Sequence, residues 1–275
     1  MIILKKYLIV SDLDGTLLNK KHDLSKRTIR YIKKLIKQGH IFVINTGRPY
    51  QGMLRFKNKL DIDCPYICDN GSSIYWDSNK DFPVFNKIDK NEVKSFLKEL
   101  HPYIYSTLLS SHQKLYFINR NKIPRWMIHI NEETQVIELD NLDNIDEDIT
   151  LMSIYIHEED RSKVAEILDK YSNIISYREW GVHLGLRSYE FFSSKASKGN
   201  ALIYLRDYLN IEEECVIGFG DDLNDIDLLK KCYVSVAMVN SKSALFNYAK
   251  HTTKYSNRKN GVVRFLKKYL KENGK

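Results

Sequence analysis

Two blocks of the chain, residues 7–72 and 197–270, alternate short apolar runs with amphipathic segments, and this alternation constrains the fold more than any other feature. In the first block YLIVS (7–11) reads as a strand, and 25–38 reads as a helix whose Ile29, Ile32, Leu35 and Ile36 recur at helical spacing until Gly39 stops it. IFVIN (41–45) is the next strand, a helix opens in GRPYQGMLRFKNKL, and PYICDNGS (65–72) is a strand ending in a turn. The second block repeats the pattern. SKGNALIYLRDYL reads as a helix, CVIGFGD (215–221) as a strand, DDLNDIDLLKKC as a short helix and YVSVAM (233–238) as a strand. GVVRFLKKYL closes the block as a helix with Val262, Val263, Leu266, Tyr269 and Leu270 inward. Helices joining buried strands imply a parallel sheet covered on both faces, an α/β fold.

Between the blocks the texture changes. YIYSTLL, KLYFIN, TQVIEL, LMSIYIH and NIISYREW read as strands, with helices at 90–100 and 158–171, so an α+β insert is expected over 83–188. The core is then residues 1–82 and 189–275.

Composition narrows the class. Apolar content of 43% with 28% charged residues suits a chain that buries a core, and excludes a disordered or collagenous one. No apolar run approaches the ~20 residues of a membrane helix, and the start, with Lys5 and Lys6 in its apolar stretch, reads as a first strand, not a signal peptide. Cys64, Cys68, Cys215 and Cys232 lack the spacing of a disulfide scaffold or zinc site and read as reduced thiols in the cytoplasm. The net charge of +8 sits in residues 250–275, where Lys250, Lys254, Arg258, Lys259, Arg264, Lys267, Lys268, Lys271 and Lys275 face one acid, Glu272. A second basic cluster is Lys26, Arg27, Arg30, Lys33, Lys34 and Lys37. Solvated helix faces account for both more simply than nucleic-acid binding does.

The chemistry concentrates where strands end. Asp12-Leu13-Asp14-Gly15-Thr16 follows the first strand directly, and in a parallel α/β sheet ligands sit outside the carboxyl ends of strands. Two acids this close repel unless a cation or a shared proton relieves them, which makes the pair a natural hard-metal site. Asn45-Thr46-Gly47-Arg48 follows the second strand and offers a hydroxyl and backbone N–H groups to an anion. Gly220-Asp221-Asp222-Leu223-Asn224-Asp225 follows the strand at 215, and Lys198 opens the helix before it. The histidines, His129 among them, show no ligand spacing, and Trp76, Trp126 and Trp180 read chiefly as packing residues.

In this order the four segments resemble the motifs of the haloacid dehalogenase-like superfamily of aspartyl phosphotransferases. Asp12-Leu13-Asp14-Gly15-Thr16-Leu17 matches the first motif, Thr46 the second, Lys198 the third, and Gly220, Asp221, Asn224 and Asp225 the fourth. Asn70-Gly71, Ser197-Lys198-Gly199 and the closing NRKNGVVRFLKKYL are similar to the Cof-type branch, with its large C2B cap. The resemblance implies a Rossmann-like core. It implies Asp12 as nucleophile, Asp14 as general acid and base, and Mg2+ held by Asp12, the Asp14 backbone carbonyl and Asp221, with Asn224 or Asp225 in or behind that shell. Thr46, Gly47 and Lys198 would bind the phosphoryl group. The insert would select the leaving group, with Arg187, Arg48 and Asn70 as candidate substrate contacts. One departure is Ala237-Met238-Val239-Asn240, where the family often has Ala-Met-Gly-Asn, so the turn there is expected to differ. The expected activity is hydrolysis of a small phosphorylated metabolite, a sugar phosphate or phosphorylated cofactor. A sugar phosphomutase is the alternative on the same residues, and a nucleic-acid-binding regulator using the basic tail is the alternative of another class.

Overall fold

The computed structural model describes residues 5–112, 114–123 and 134–273; Trp126, His129 and Lys275 lie outside them. Its elements, in chain order, are β1 (Leu8–Ser11), α1 (Lys26–Lys37), β2 (Ile41–Asn45), α2 (Tyr50–Leu60), β3 (Tyr66–Cys68), β4 (Ser73–Tyr75), β5 (Val84–Phe85), α3 (Lys90–Leu100), β6 (Ile104–Ser110), β7 (Lys114–Ile118), β8 (Gln135–Glu138), β9 (Leu151–His157), α4 (Arg161–Tyr171), β10 (Ile175–His183), β11 (Leu186–Ser193), α5 (Lys198–Tyr208), β12 (Val216–Gly220), α6 (Ile226–Lys230), β13 (Val234–Ala237), β14 (His251–Thr252) and α7 (Gly261–Asn273).

Eight strands form one sheet in the order β14-β13-β12-β1-β2-β3-β4-β5. Neighbours from β14 to β3 run parallel, and β4 returns antiparallel on β3. Parallel strands are buried on both faces, so β1 is an unbroken apolar run until Ser11, and all four of its residues are buried. Leu8, Val10 and Val43 pack with Leu202 and Leu205 of α5. Full burial of one such side chain contributes about 1.5–3 kcal/mol, and cutting Leu205 back to alanine would cost about 2–5 kcal/mol. Helix α1 starts where Ser25 accepts the Thr28 N–H at 3.0 Å, and it buries Tyr31, Ile32 and Leu35. It ends at Gly39, whose φ of +87° is open to glycine at little cost. In α7, Val262, Val263 and Leu266 are buried, whereas Tyr269 and Leu270, expected inward, are half-buried.

A second sheet runs β10-β11-β9-β6-β7-β8 and is antiparallel except for the β7·β8 pair. Val93, Phe96 and Leu97 of α3 and Val164 and Leu168 of α4 cluster with Leu109, Ile154 and Phe191 of this sheet. Residues of β11 alternate half-buried and buried, as a strand with one packed face requires.

The chain divides into two compact units, one of Met1–Gly47, Leu54–Val84 and Ser197–Lys275, the other of Arg48–Met53 and Phe85–Ala196. The insert boundary expected at 188/189 therefore moves to 196/197. The reason is β11, which the sequence reading missed: it pairs with β9 from Leu186↔His157 to Phe191↔Met152, so a cut at 188 would split a strand of the inserted sheet. Arg48–Met53, read from the sequence as core, also falls in the inserted unit.

Candidate active site

The core chain runs from β1 outward through β2 and β3, then returns to the other side of β1 with β12 and β13, which makes the carboxyl ends of β1 and β12 the switch point of the sheet. Asp12 stands there. Its N–H donates to the Phe219 carbonyl at 3.0 Å, continuing the ladder one residue past β1. The chain then turns through Gly15 at φ +75°, and a Cβ at that position would overlap the Asp221 carboxylate. Glycine is thus required twice, for the turn and for the approach. Thr16 Oγ1 donates to Asp221 Oδ1 at 2.7 Å, fixing the carboxylate that follows β12.

Asp225 is fully buried, and its two oxygens have separate partners. Oδ2 accepts the N–H groups of Asp221 (2.9 Å) and Asp222 (3.1 Å), while Oδ1 meets Lys198 Nζ at 2.6 Å. The same ammonium meets Asp12 Oδ1 at 2.6 Å. Lys198 is 2% exposed. Burial works against its charge, and the charges of Asp12 and Asp225 outweigh burial and hold its pKa above the ordinary lysine value. Ser197 caps α5 by accepting the Asn200 N–H at 2.9 Å, and Asn45 Nδ2 donates to the Lys198 carbonyl at 2.9 Å.

Thr46 is 1% exposed at the end of β2; its N–H donates to the Ile67 carbonyl at 2.9 Å and its carbonyl accepts the Asn70 N–H at 3.2 Å. A Cβ on Gly47 would stand 2.9 Å from Asn70 Oδ1, which itself accepts from Asn224 Nδ2 at 3.1 Å. Asp14 is half-buried on the turn after Asp12. The structure therefore gathers Asp12, Asp14, Thr46, Gly47, Asn70, Lys198, Asp221, Asn224 and Asp225 at the strand ends of one unit. Arg48 and Arg187 belong to the other unit. Arg187 is 8% exposed and engages Glu158 at 2.5 and 2.6 Å and also Glu179, all within the inserted sheet and its flanking turn.

The ligand oxygens of Asp12, Asp221 and Asp225 lie within 4.8 Å of one another among the described residues. Burial pushes the Asp12 carboxyl well above the ordinary carboxylate range, against the pull of Lys198, and raises Asp221 to about 7, against the Thr16 hydroxyl. Three carboxylates, two of them on one ammonium and the third held by the Thr16 hydroxyl, are short of positive charge, and oxygen donors in this number fit a hard divalent cation.

Several residues at the site were not foreseen. Asn45, a buried polar side chain closing an apolar strand, is itself the signal that would have found it. Asp227 was another: its Oδ2 accepts Ser197 Oγ at 2.6 Å and the Gly199 N–H at 3.1 Å. Asn240 Nδ2 donates to the Gly15 carbonyl at 2.9 Å, and Asn240 Oδ1 accepts the Asn257 N–H at 3.1 Å. Val239, beside it, does not take a positive φ, so the turn holds a valine without strain.

The family model for haloacid dehalogenase-like hydrolases matches residues 9–266. The chain belongs to that family. It is 30% identical over 269 residues to 5-amino-6-(5-phospho-D-ribitylamino)uracil phosphatase YitU of Bacillus subtilis strain 168, covering 97% of this chain and 98% of that one. Its fold is similar to that of TM0651 from Thermotoga maritima, with a TM-score of 0.82 at 22% identity over 96% of this chain and 97% of that one. It is also similar to the subclass IIB sugar phosphatase BT4131, with a TM-score of 0.74 at 20% identity over 96% and 99%. This haloacid dehalogenase-like hydrolase is a Cof-type phosphatase. No helix among its described residues is long and apolar enough to cross a membrane.

Proposed function

We propose that this phosphatase hydrolyses a small phosphorylated metabolite, a sugar phosphate or phosphorylated cofactor precursor, through a phosphoryl group carried transiently on Asp12. The observation that carries the reading is the sharing of one buried ammonium, Lys198 Nζ, by Asp12 and Asp225 at 2.6 Å each, beside Asp221 at the switch point of the sheet. Asp12 Oδ attacks phosphorus, the bond to the leaving oxygen breaks, and Asp14 gives that oxygen its proton. Asp14 then takes a proton from the water that attacks the aspartyl-phosphate, returning Asp12 as a carboxylate and releasing phosphate. Thr46, the Gly47 N–H and Lys198 hold the phosphoryl oxygens and offset their charge as the transition state forms. Asp12, the Asp14 carbonyl and Asp221 would hold Mg2+, with Asn224 or Asp225 in or behind that shell, and the bound ion supplies positive charge against the phosphoryl oxygens.

The inserted unit, together with Arg48 and Asn70, is our candidate for choosing the leaving group. The Bacillus relative is named for a phosphorylated ribityl compound, which supports a phosphorylated cofactor precursor. Four buried free thiols support a reducing, cytoplasmic setting. A panel of phosphorylated metabolites assayed with Mg2+ for released phosphate tests the reading. Phosphate release from at least one of them that Asp12→Asn abolishes is the expected result; turnover on the panel unchanged in Asp12→Asn would overturn it.

A further inference from the structure

Two features of the sequence have no part in phosphoryl chemistry, the basic face of α1 and the basic face of α7. The fold brings them together. Between these helices lies a cavity of about 430 Å³ walled by Lys34 of α1 and Gln38 just past its end, Lys267, Leu270 and Lys271 of α7, the Tyr31 ring and His40. No carboxylate lines it, and none of its three lysines makes an ion pair among the described residues. Lys267 Nζ stands 5.2 Å from the Tyr31 ring centroid, a contact that leaves the ammonium's hydrogen bonds to be made elsewhere.

The cavity is remote from the catalytic carboxylates. Tyr7 precedes β1 and its N–H donates to His40 Nδ1 at 3.2 Å, whereas Asp12 follows the other end of that strand. Five residues at ~3.3 Å each separate the two ends by about 16 Å. Because His40 accepts through Nδ1, its neutral ring carries its proton on Nε2 and remains a donor. Three ammonium groups, an imidazole N–H and the Gln38 amide thus wall one concavity beside Leu270, with no acidic side chain in its lining among the described residues.

We propose that this cavity is a second, non-catalytic binding site for a small molecule carrying adjacent phosphate groups. Lysine is a point charge on a flexible stem and suits phosphate without demanding a fixed fork. A concavity of this volume matches a compact ligand, whereas a duplex backbone would need the charges spread along an exposed ridge. The lysine head groups face water, so the attraction weakens as salt rises.

Calorimetric titration of the full chain with inorganic tripolyphosphate, without divalent metal, tests the site. One binding event is expected at about 50 mM salt and should weaken several-fold at about 300 mM. Lys34→Gln/Lys271→Gln should weaken binding by about tenfold or more. Lys254→Gln/Lys268→Gln, which removes the same charge from outside the cavity, should stay within about twofold. Both variants should keep the parent's melting temperature and its turnover of an aryl phosphate with Mg2+. Equal weakening by the two pairs would show attraction to net charge alone and overturn the site. So would tighter binding of a short DNA duplex, with both pairs again losing equally.

Discussion

Asp227 Oδ2 accepts the Gly199 backbone N–H at 3.1 Å, so a carboxylate on α6 holds the first turn of α5 immediately beside Lys198. A Cβ on Gly199 would overlap that oxygen. Asp225, two residues earlier, takes the Lys198 ammonium itself. One short segment thus grips Lys198 by side chain and by backbone, and the carboxylate also complements the positive end of α5.

Asp227→Ala should lower kcat/KM by about tenfold, roughly 1.4 kcal/mol in the barrier, by releasing the backbone on which Lys198 rides. In a Lys198→Ala background the same substitution should cost far less, because sites that act through a shared partner are not additive. A double-mutant cycle on kcat/KM, with melting temperatures in parallel, measures this; additive losses would assign Asp227 a purely structural part.

Asp12→Asn should reduce turnover by about a thousandfold or more, about 4 kcal/mol, while leaving the melting temperature near that of the parent. The amide keeps an oxygen for Lys198 but is a poor phosphoryl acceptor. Steady-state phosphate release on any accepted substrate measures it, and turnover within about tenfold of the parent would remove Asp12 from the chemistry.

Chelation should silence the enzyme and Mg2+ should restore it. Asp221→Ala should raise the Mg2+ concentration for half-activity by about tenfold, with less change in KM at saturating metal. Full turnover in protein shown by elemental analysis to be metal-free would refute the metal assignment.

Arg187→Ala should lower the urea midpoint of the inserted unit, because it leaves Glu158 and Glu179, each partly exposed, without their shared cation. Urea unfolding followed by tryptophan emission in a Trp76→Phe background, which removes the core unit's tryptophan, reads this. A shift in substrate preference with unchanged stability would instead assign Arg187 to the substrate.

Burial holds the His40 pKa below its ordinary value of 6.5, so on acidification the unfolded chain takes up protons before the native one. The stability His40 contributes is whole above about pH 6.5 and is lost as pH falls through the folded pKa. Unfolding midpoints compared near neutrality and about two pH units lower should fall more for the parent than for His40→Gln; parallel lines for the two proteins would contradict it.

Much of the candidate site was legible because three of its residues sit where an apolar run stops. Asp12, Thr46 and Asp221 are read from that punctuation alone. Asn45, Asp227 and Asn240 were not, since each acts by gripping another segment's backbone, and nothing in a linear pattern says which carbonyl or N–H a side chain will meet. The strand β11 was missed for a related reason: LRSYEFFS mixes Arg187, Ser188 and Glu190 among its apolar residues, and its strand character comes from pairing with β9 and β10. Arg187 is a candidate substrate contact from the sequence, and nothing in a linear pattern pairs it with Glu158 and Glu179 as the fold does.

The core is assembled from the two ends of the chain, with 112 residues from Phe85 to Ala196 in between belonging to the other unit. During synthesis, β1 and β2 leave the ribosome long before β12 exists to pair with β1. At about 5–20 residues per second, Asp12 waits roughly 10–40 s for Lys198. Through that interval one edge of β1 stays open and Asp12 lacks the Lys198 ammonium, while the inserted sheet, whose strands all lie between Ile104 and Ser193, has every strand it needs to close first. A stall or truncation after residue 196 would leave a finished insert on an unfinished core, so the vulnerable species in the cell is the nascent chain with its parallel strands unpaired.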